Sequence, residues 1–168
     1  MNETQRNRIT DLLNAQITVN SFRRRIKVIR DPVELHQIAV LACKTGLWHD
    51  AGFQWPQSIA NHPHCDAGTG LMLYWMESPE NVYKFGTCVD SDESGIAHLE
   101  YIRSIEFNYL HGTYRTSKIR FAPPVSPSRR RNLDQYRWIP SGMLIPSPGG
   151  KVKTLNWKWD RNCQVILK

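Results

Sequence analysis

Residues 31–46 read DPVELHQIAVLACKTG, and this stretch decides the fold class. Asp31 is a typical N-cap residue, Pro32 suits the first helical position, and Glu34 follows the cap at the spacing of a capping box. The apolar residues that follow recur at three- and four-residue steps, namely Leu35, Ile38, Ala39, Leu41 and Ala42. Gly46 can end the helix in the left-handed conformation. The stretch therefore predicts a helix with one buried face.

Two shorter helices are predicted before this one. Over residues 4–17 one helical face carries Ile9, Leu12, Leu13 and Ile17. Ser21 can cap a second helix over residues 22–30, although this segment is also short enough to be a strand. Its apolar face consists of Phe22, Ile26 and Ile29, and the arginines Arg23, Arg24 and Arg25 lie outside that face.

Three more helices are predicted after residue 46. Pro56 opens a short helix that ends near Pro63, and Asp66 caps an apolar helix that includes Leu71, Met72, Tyr74, Trp75 and Met76. Residues 81–89 form an apolar stretch of ambiguous type. A long helix then runs to His111 and ends at Gly112, with a buried stripe of Ile96, Leu99, Ile102, Ile105, Tyr109 and Leu110. The tryptophans Trp48, Trp55, Trp75 and Trp138 are assigned to the core.

The last third of the chain has a different composition. Six prolines fall between residues 123 and 148, which favours an extended, irregular segment across the surface of the helical body. Residues 152–167 alternate on both sides of a turn at residues 160–162, as in a β-hairpin. We therefore expect a mainly α-helical single domain with a Pro-rich extended arm and a small C-terminal β-hairpin. Its parts are basic N-terminal helices (1–30), a helical core module (31–112), the Pro/Arg-rich arm (113–150) and the hairpin (151–168).

Composition and charge limit the function classes. The chain has 168 residues and a net charge of +7. Residues 1–30 carry seven basic and two acidic groups, residues 31–100 two basic and ten acidic, and residues 101–168 thirteen basic and three acidic. No stretch approaches the roughly 20 apolar residues of a membrane span, and no secretory signal is visible. We expect a cytoplasmic protein without a membrane partner.

Candidate reactive groups are few. The cysteines are single and widely spaced, which favours buried thiols; they are Cys43, Cys65, Cys88 and Cys163. Residues 62–66, HPHCD, contain metal-ligand types but lack a distant second ligand pair, so a helix start with Asp66 as cap and Cys65 in the core is favoured. A nucleophilic Cys65 beside His64 is the enzymatic alternative. No nucleotide-binding or hydrolase motif is present, so we expect no catalytic residues, no metal and no cofactor.

Two kinds of macromolecular partner fit the charge pattern. The arginine runs at residues 23–25 and 129–131 permit nucleic-acid binding, although no recognised nucleic-acid module can be read. The acidic middle of the chain could steer a basic protein partner. The residues assigned to such a partner-binding surface are His49, Asp50, Glu77, Glu80, Asp90, Asp92 and Glu93.

The middle of the chain resembles an uncharacterised bacterial domain family. The residues that carry the resemblance are Trp48, Asp50, Gly52, Phe53, Pro56, Ile59, Asn61, Pro63, Cys65, Asp66, Gly68, Thr69 and Leu71. Residues 98–102, Gly112 and residues 119–124 are similar to the tail that often follows this module. Gly70 stands where a helix-favouring alanine is expected, and Ala51 intervenes before Gly52.

This resemblance implies a mostly helical fold without known catalytic activity. Small proteins of this type are similar to immunity proteins, which bind and block bacterial toxins. The expected function is therefore an immunity protein that neutralises a cognate bacterial toxin. A basic toxin would meet the acidic middle, whereas an acidic toxin would meet the arginine-rich ends. The alternative is a basic nucleic-acid-associated protein. A third hypothesis is a thiol or metal enzyme with its site at residues 62–66.

Overall fold

The helix predicted at residues 31–46 is present in the computed structural model and begins at Pro32. The structure describes residues 1–15, 17–45, 54–86, 93–125, 138–162 and 164–167. These residues contain the α-helices α1 (Glu3–Asn14), α2 (Val19–Ile26), α3 (Pro32–Thr45), α4 (Gln54–Ala60), α5 (Ala67–Met76), α6 (Pro79–Gly86) and α7 (Glu93–Leu110), a 3₁₀ helix at Ser141–Leu144, and the strands β1 (Trp157–Trp159) and β2 (Val165–Leu167). The prediction of a mainly helical protein with a C-terminal hairpin is confirmed.

The described residues fall into two compact units. Unit 1 consists of residues 1–65 and 152–168, and unit 2 consists of residues 66–151. Unit 2 is thus a continuous segment, whereas unit 1 is built from both ends of the chain. The prediction of a single domain over residues 1–168 stays a prediction.

The first two helices of unit 1 start at side-chain caps. The Asn2 side chain accepts from the Gln5 backbone N–H, and the Gln5 side chain accepts from the Asn2 N–H, which completes a capping box. Helix α1 ends at Asn14, so the placement of Ile17 on its face is wrong. Helix α2 starts at Val19 with Thr18 as cap, three residues before the predicted Ser21 cap. A hydroxyl at residue 18 can cap the chain equally well, and Ser21 lies within the resulting helix.

Helix α3 is the most buried helix of unit 1. Its core-facing residues are fully enclosed, including Leu35, Ile38, Ala39, Leu41 and Ala42. Asp31 accepts a hydrogen bond from the Val33 N–H at 2.9 Å, as expected of a cap. Glu34 does not complete a capping box; both of its carboxylate oxygens accept from the Arg8 guanidinium of α1. The predicted end of the helix at Gly46 lies outside the described residues.

Two amide side chains tie the C-terminal hairpin to the helices of unit 1. The Asn14 side chain donates to the Val165 carbonyl at 2.9 Å and accepts from the Val165 N–H at 2.6 Å. The Gln37 side chain bonds in the same way to the carbonyl of Lys153 and the N–H of Leu155, both at 3.0 Å. Strands β1 and β2 pair antiparallel, with Trp159 opposite Val165. The Asn14 side chain thus satisfies backbone groups of β2, and the Gln37 side chain satisfies backbone groups of the segment before β1.

Unit 2 is built around helices α5, α6 and α7, which contact one another. The ambiguous stretch after residue 80 is helical as far as Gly86, as part of α6. The long predicted helix is α7, and Gly112 beyond its end has a φ of 65°, the conformation expected at a helix C-terminus. The stripe of α7 is confirmed at Leu99, Ile102 and Ile105, which are buried.

The ends of that stripe and one tryptophan differ from the prediction. Ile96 is 49% exposed and Leu110 is 47% exposed, so both were wrongly assigned to the core. Trp138 is 55% exposed, whereas Trp55 and Trp75 are buried as expected. Trp48 lies outside the described residues. Ile96 and Leu110 each lie in a terminal turn of this 18-residue helix.

The described parts of the Pro-rich arm are integrated into unit 2. Ile119, Val125, Ile139 and Met143 are buried, so the expected path across the surface is wrong for these residues. The indole N–H of Trp75 donates to the Met143 carbonyl at 2.9 Å. Residues 117–121 and 147–150 bond to each other through the Arg120 N–H and the Gly150 carbonyl, among others. The arm is extended but supplies core side chains.

Candidate functional site

An open groove lies between α1 and α2 in unit 1. It has a volume of about 800 Å³, and its lining combines basic, polar and apolar side chains: Thr4, Asn7, Arg8, Asp11, Leu12, Ser21, Arg24, Arg25 and Val28. Of these residues, α1 supplies the first five and α2 with its C-terminal turn supplies the rest. We call this feature the α1–α2 groove.

The arginine run of α2 is divided between two sides of the helix. Successive helical residues are about 100° apart, so three consecutive arginines cannot share one face. Phe22 and Ile26 are buried and fix the rotation of α2 in unit 1. Arg24 and Arg25 consequently line the α1–α2 groove, whereas Arg23 lies on the side of α4.

Arg8 at the edge of the α1–α2 groove is engaged within unit 1. Its guanidinium donates to both carboxylate oxygens of Glu34, at 2.5 and 2.7 Å. The Glu34 side chain is 1% exposed, and this bidentate hydrogen bonding raises the pKa of Arg8. Within the described part of the chain, Arg24 and Arg25 form no ion pair. These two side chains are therefore the available cations of the groove.

The α1–α2 groove also offers apolar surface. Val28 is 65% exposed at its edge, and Leu12 is a buried residue in its lining. Asp11 is the acidic member of the lining and lies on α1. Arginine beside exposed apolar surface is typical of protein–protein interfaces.

A smaller cleft lies on the other side of α2. It has a volume of about 300 Å³ and is lined by Arg23, Ile26, Lys27, Gln57, Ser58, Asn61, His62 and Pro63. Helices α2 and α4 are joined beside it by the stacked rings of Phe22 and Trp55, whose centroids are 4.2 Å apart. We call this feature the α2–α4 cleft. Among the lining residues that the structure describes, Arg23 and Lys27 are cations and none is acidic.

The predicted acidic surface is only partly described. His49, Asp50, Asp90 and Asp92 lie outside the described residues. Of the others, Glu93 is exposed in the first turn of α7. Glu77 is half-buried and pairs with His98 at 2.9 Å. Glu80 is also half-buried, and one of its carboxylate oxygens has no hydrogen-bond partner among the described residues. The assignment of these seven residues to a partner stays a prediction.

The segment HPHCD at residues 62–66 is a helix start. Asp66 caps α5 by accepting from the Gly68 N–H at 2.9 Å, and Cys65 is buried, as the favoured interpretation had it. The Asp66 carboxylate also accepts from Thr116 Oγ1, the Lys118 N–H and the Ile119 N–H. Among the described residues, no three His, Cys, Asp or Glu side chains are grouped so that they could hold a metal ion.

His62 is buried at the edge of the α2–α4 cleft. Its Nδ1 accepts a hydrogen bond from the His64 N–H at 3.1 Å, which places the proton of the neutral ring on Nε2. Burial lowers the pKa of His62, and the neighbouring His64 lowers it further. The ring is therefore neutral near pH 7 and adds no positive charge to the cleft.

A buried carboxyl in unit 2 was not predicted from the sequence. Glu106 accepts hydrogen bonds from the hydroxyls of Tyr74 and Tyr83, each at 2.5 Å. Burial raises the pKa of Glu106 and of both tyrosines. Glu106 follows Leu99 by two helical turns, so the stripe of α7 already placed it on the buried face. The two hydroxyls occupy both carboxylate oxygens, which indicates a polar element of the core.

A comparison with protein-family models gives a match over part of the chain. Residues 30–110 match the model of a domain of unknown function (DUF4274). This segment covers a little under half of the chain and includes most of the residues that carried the expected resemblance, although residues 119–124 lie beyond it. No curated protein matches the chain. No solved structure matches it. Within the described ranges, no helix is both long and apolar enough to cross a membrane.

Proposed function

We propose that this protein is an immunity protein, which binds a cognate bacterial toxin and blocks it, and that the α1–α2 groove is the surface that meets the toxin. The observation that carries the proposal is the pairing of two available arginines, Arg24 and Arg25, with the exposed Val28 along an open groove. A neutralising protein needs a complementary surface and no catalytic group.

The chemistry of the α1–α2 groove favours an acidic toxin surface. Arg24 and Arg25 can each form bidentate hydrogen bonds with a carboxylate, and Val28 can pack against an apolar side chain next to it. Such an interface gains association rate from charge steering and affinity from a few desolvated anchors. Of the acidic residues first assigned to the partner, Glu77 fits this role less well, because it already pairs with His98 in unit 2.

Nucleic-acid binding remains the alternative for the same cations. Proteins that bind single strands combine a basic groove with exposed aromatic rings on which bases stack. Next to α2, however, the rings of Phe22 and Trp55 are buried and stacked on each other. The mixed lining of the α1–α2 groove therefore favours a protein partner over a phosphate backbone.

The first experiment is co-purification of the tagged protein from its native host, with mass spectrometry of any stoichiometric partner. We expect one acidic protein that is toxic when produced alone and harmless when produced together with this chain. Absence of such a partner, or failure to protect cells, would overturn the immunity assignment.

A pair of charge-reversal variants then locates the interface. Arg24→Glu with Arg25→Glu should raise the Kd for the toxin by about tenfold to a hundredfold, since attraction becomes repulsion. The matched control is Arg115→Glu with Arg120→Glu, which makes the same charge change at exposed residues of unit 2. Equal loss in both variants would show that net charge matters and the groove does not.

The affinity of the protein for generic duplex DNA tests the nucleic-acid alternative directly. If the protein binds DNA with an affinity that falls steeply with salt, and if Arg24→Glu with Arg25→Glu abolishes this binding, the nucleic-acid function replaces the immunity function. We expect no such binding at moderate salt.

A further inference from the structure

The α2–α4 cleft concentrates positive charge. Arg23 and Lys27 lie four residues apart on one side of α2, and both line the cleft. Like charges at this helical spacing repel each other. None of the described lining residues is acidic and could offset this repulsion, and α2 itself contains no acidic residue. The cost of this arrangement would be relieved by a bound anion.

Arg23 is held in place at the cleft. Its Nε donates to Ser58 Oγ at 3.0 Å, and the same hydroxyl donates to the Gln54 carbonyl of α4 at 2.6 Å. The hydroxyl thus receives one hydrogen bond and gives another, so its position is fixed by α4. Because Nε is engaged with Ser58, the two terminal guanidinium nitrogens are left to donate hydrogen bonds to two oxygens of an oxyanion.

The rest of the lining suits a small anion. The side-chain amides of Gln57 and Asn61 provide donor groups at the cleft. His62 is neutral near pH 7, so the described lining of the cleft carries two positive charges, from Arg23 and Lys27. Two positive charges match the roughly −1.5 to −2 charge of a phosphate group at neutral pH better than the single charge of a carboxylate.

We propose that the α2–α4 cleft binds a phosphate group, either as free phosphate or as a phosphate monoester. Arg23 binds two phosphate oxygens through its terminal nitrogens, Lys27 neutralises the second charge, and Ser58 positions Arg23. This site is separate from the α1–α2 groove, and it does not depend on the immunity function.

Calorimetric titration of the full-length protein tests the site, with inorganic phosphate, O-phosphoserine and acetate as probes at constant ionic strength. We expect both phosphate probes to bind at one site per chain and acetate to bind at least about tenfold more weakly, a difference of about 1.4 kcal/mol. If phosphoserine binds more tightly than inorganic phosphate, the site takes a monoester; the reverse order assigns it to the free ion. Acetate binding as tight as phosphate binding would overturn the proposal.

Two double variants on the same helix provide the matched comparison. Arg23→Gln with Lys27→Gln should abolish phosphate binding, whereas Arg24→Gln with Arg25→Gln, which removes the same charge from the α1–α2 groove, should leave it within about twofold. Ser58→Ala keeps both cations and should weaken binding several-fold, because Arg23 loses its anchor. If the two double variants lose phosphate equally, binding reflects the charge of α2 alone and the proposed site is wrong.

The same variants separate this proposal from the immunity function. Toxin binding should fall in the variant at residues 24 and 25 and persist in the variant at residues 23 and 27. Phosphate binding should show the opposite pattern, so either proposal can fail while the other stands.

Discussion

The carboxylate of Asp66 accepts a hydrogen bond from the backbone N–H of Lys118 at 2.7 Å, across 52 positions of sequence. The same carboxylate also caps α5 through the Gly68 N–H. One side chain therefore starts the central helix of unit 2 and holds the segment that follows α7 against it. Because Asp66 is fully buried, the energy of these bonds is not reduced by competition with water.

Asp66→Asn should destabilise unit 2 strongly. The amide nitrogen of Asn cannot accept hydrogen bonds, so buried N–H groups lose their partner, and we expect a loss of about 2–4 kcal/mol in the free energy of unfolding. Urea denaturation followed by circular dichroism measures this loss. The control is Asp160→Asn, at an exposed turn where Asp160 accepts from the N–H groups of Asn162 and Gln164. Similar losses in both variants would contradict the role given to Asp66.

Gly68→Ala should disrupt the same contact. A Cβ at this position would lie 2.0 Å from the Ile119 carbonyl oxygen, which belongs to the backbone and cannot move aside cheaply. We expect a loss of about 3 kcal/mol or more, as for other severe core clashes. Gly150→Ala is the control, because a Cβ there has no neighbour within 4 Å. A stable Gly68→Ala protein, judged by thermal unfolding, would show that the backbone contact is loose.

Stability should depend on pH through Glu106. Its pKa is raised in the folded protein above the ordinary value of 4.5, so the folded state holds the proton more tightly than the unfolded state. The contribution of Glu106 is therefore complete below about pH 4.5 and is lost as the pH rises through the raised pKa. Glu106→Gln should flatten this decline when the free energy of unfolding is measured across the range.

The control for this pH dependence is Glu100→Gln, at an exposed position of the same helix. It should leave the pH profile of the wild-type protein unchanged. An identical decline in wild type and Glu106→Gln would assign the pH dependence to another group. His62 contributes in the opposite direction, since a lowered pKa removes stability as the pH falls, so the Glu106 effect is read as a difference between variants.

Replacing Arg8 should destabilise the protein far more than replacing Arg24. Arg8→Met leaves the buried Glu34 carboxylate without its partner, and we expect a loss of about 3 kcal/mol. Arg24→Met removes an exposed cation without an ion pair among the described residues and should cost less than about 0.5 kcal/mol. Thermal and urea unfolding measure both. If Arg24→Met proves as destabilising as Arg8→Met, Arg24 has a structural role and the α1–α2 groove is less open to a partner than proposed.

The segment that matches the family model should not fold when excised. Residues 30–110 lose α1 and the hairpin, which pack on α3 in unit 1 or bond to it, and they lose the segment that Asp66 binds in unit 2. The isolated segment should show little cooperative unfolding and rapid proteolysis, unlike the full chain. Cooperative unfolding of the excised segment would show that the flanking residues are accessory.

Local signals in the sequence predicted much of this structure. Asp31 with Pro32, Asp66, and Gly112 mark helix ends by chemistry that acts within a few residues. Alternation around residues 160–162 was enough to place the hairpin. Gly70 is unfavourable in a helix by propensity alone. The structure shows why glycine is needed there, because a Cβ at this position would lie 2.6 Å from the ring of Tyr114.

The sequence did not reveal the partners of distant side chains. Glu34 matched a capping box, yet Arg8 at 26 residues' distance binds it. Residues 23–25 form one basic run in the sequence. The rotation of α2, which is set by Phe22 and Ile26, places Arg23 at the α2–α4 cleft and the other two arginines at the α1–α2 groove. Such outcomes depend on which helices pack together, and a single sequence does not encode that in any local pattern.

The division of the chain into units has a consequence for its synthesis. Unit 1 closes only when Asn14 and Gln37 meet residues 153–165, and all of residues 66–151 leave the ribosome before those residues do. Unit 2 is continuous and can complete its hydrogen bonds earlier. The sides of α1 and α3 that meet residues 153–165 must therefore stay uncovered until those residues emerge. A chain whose synthesis stops at residue 151 would therefore have a complete unit 2 and an incomplete unit 1.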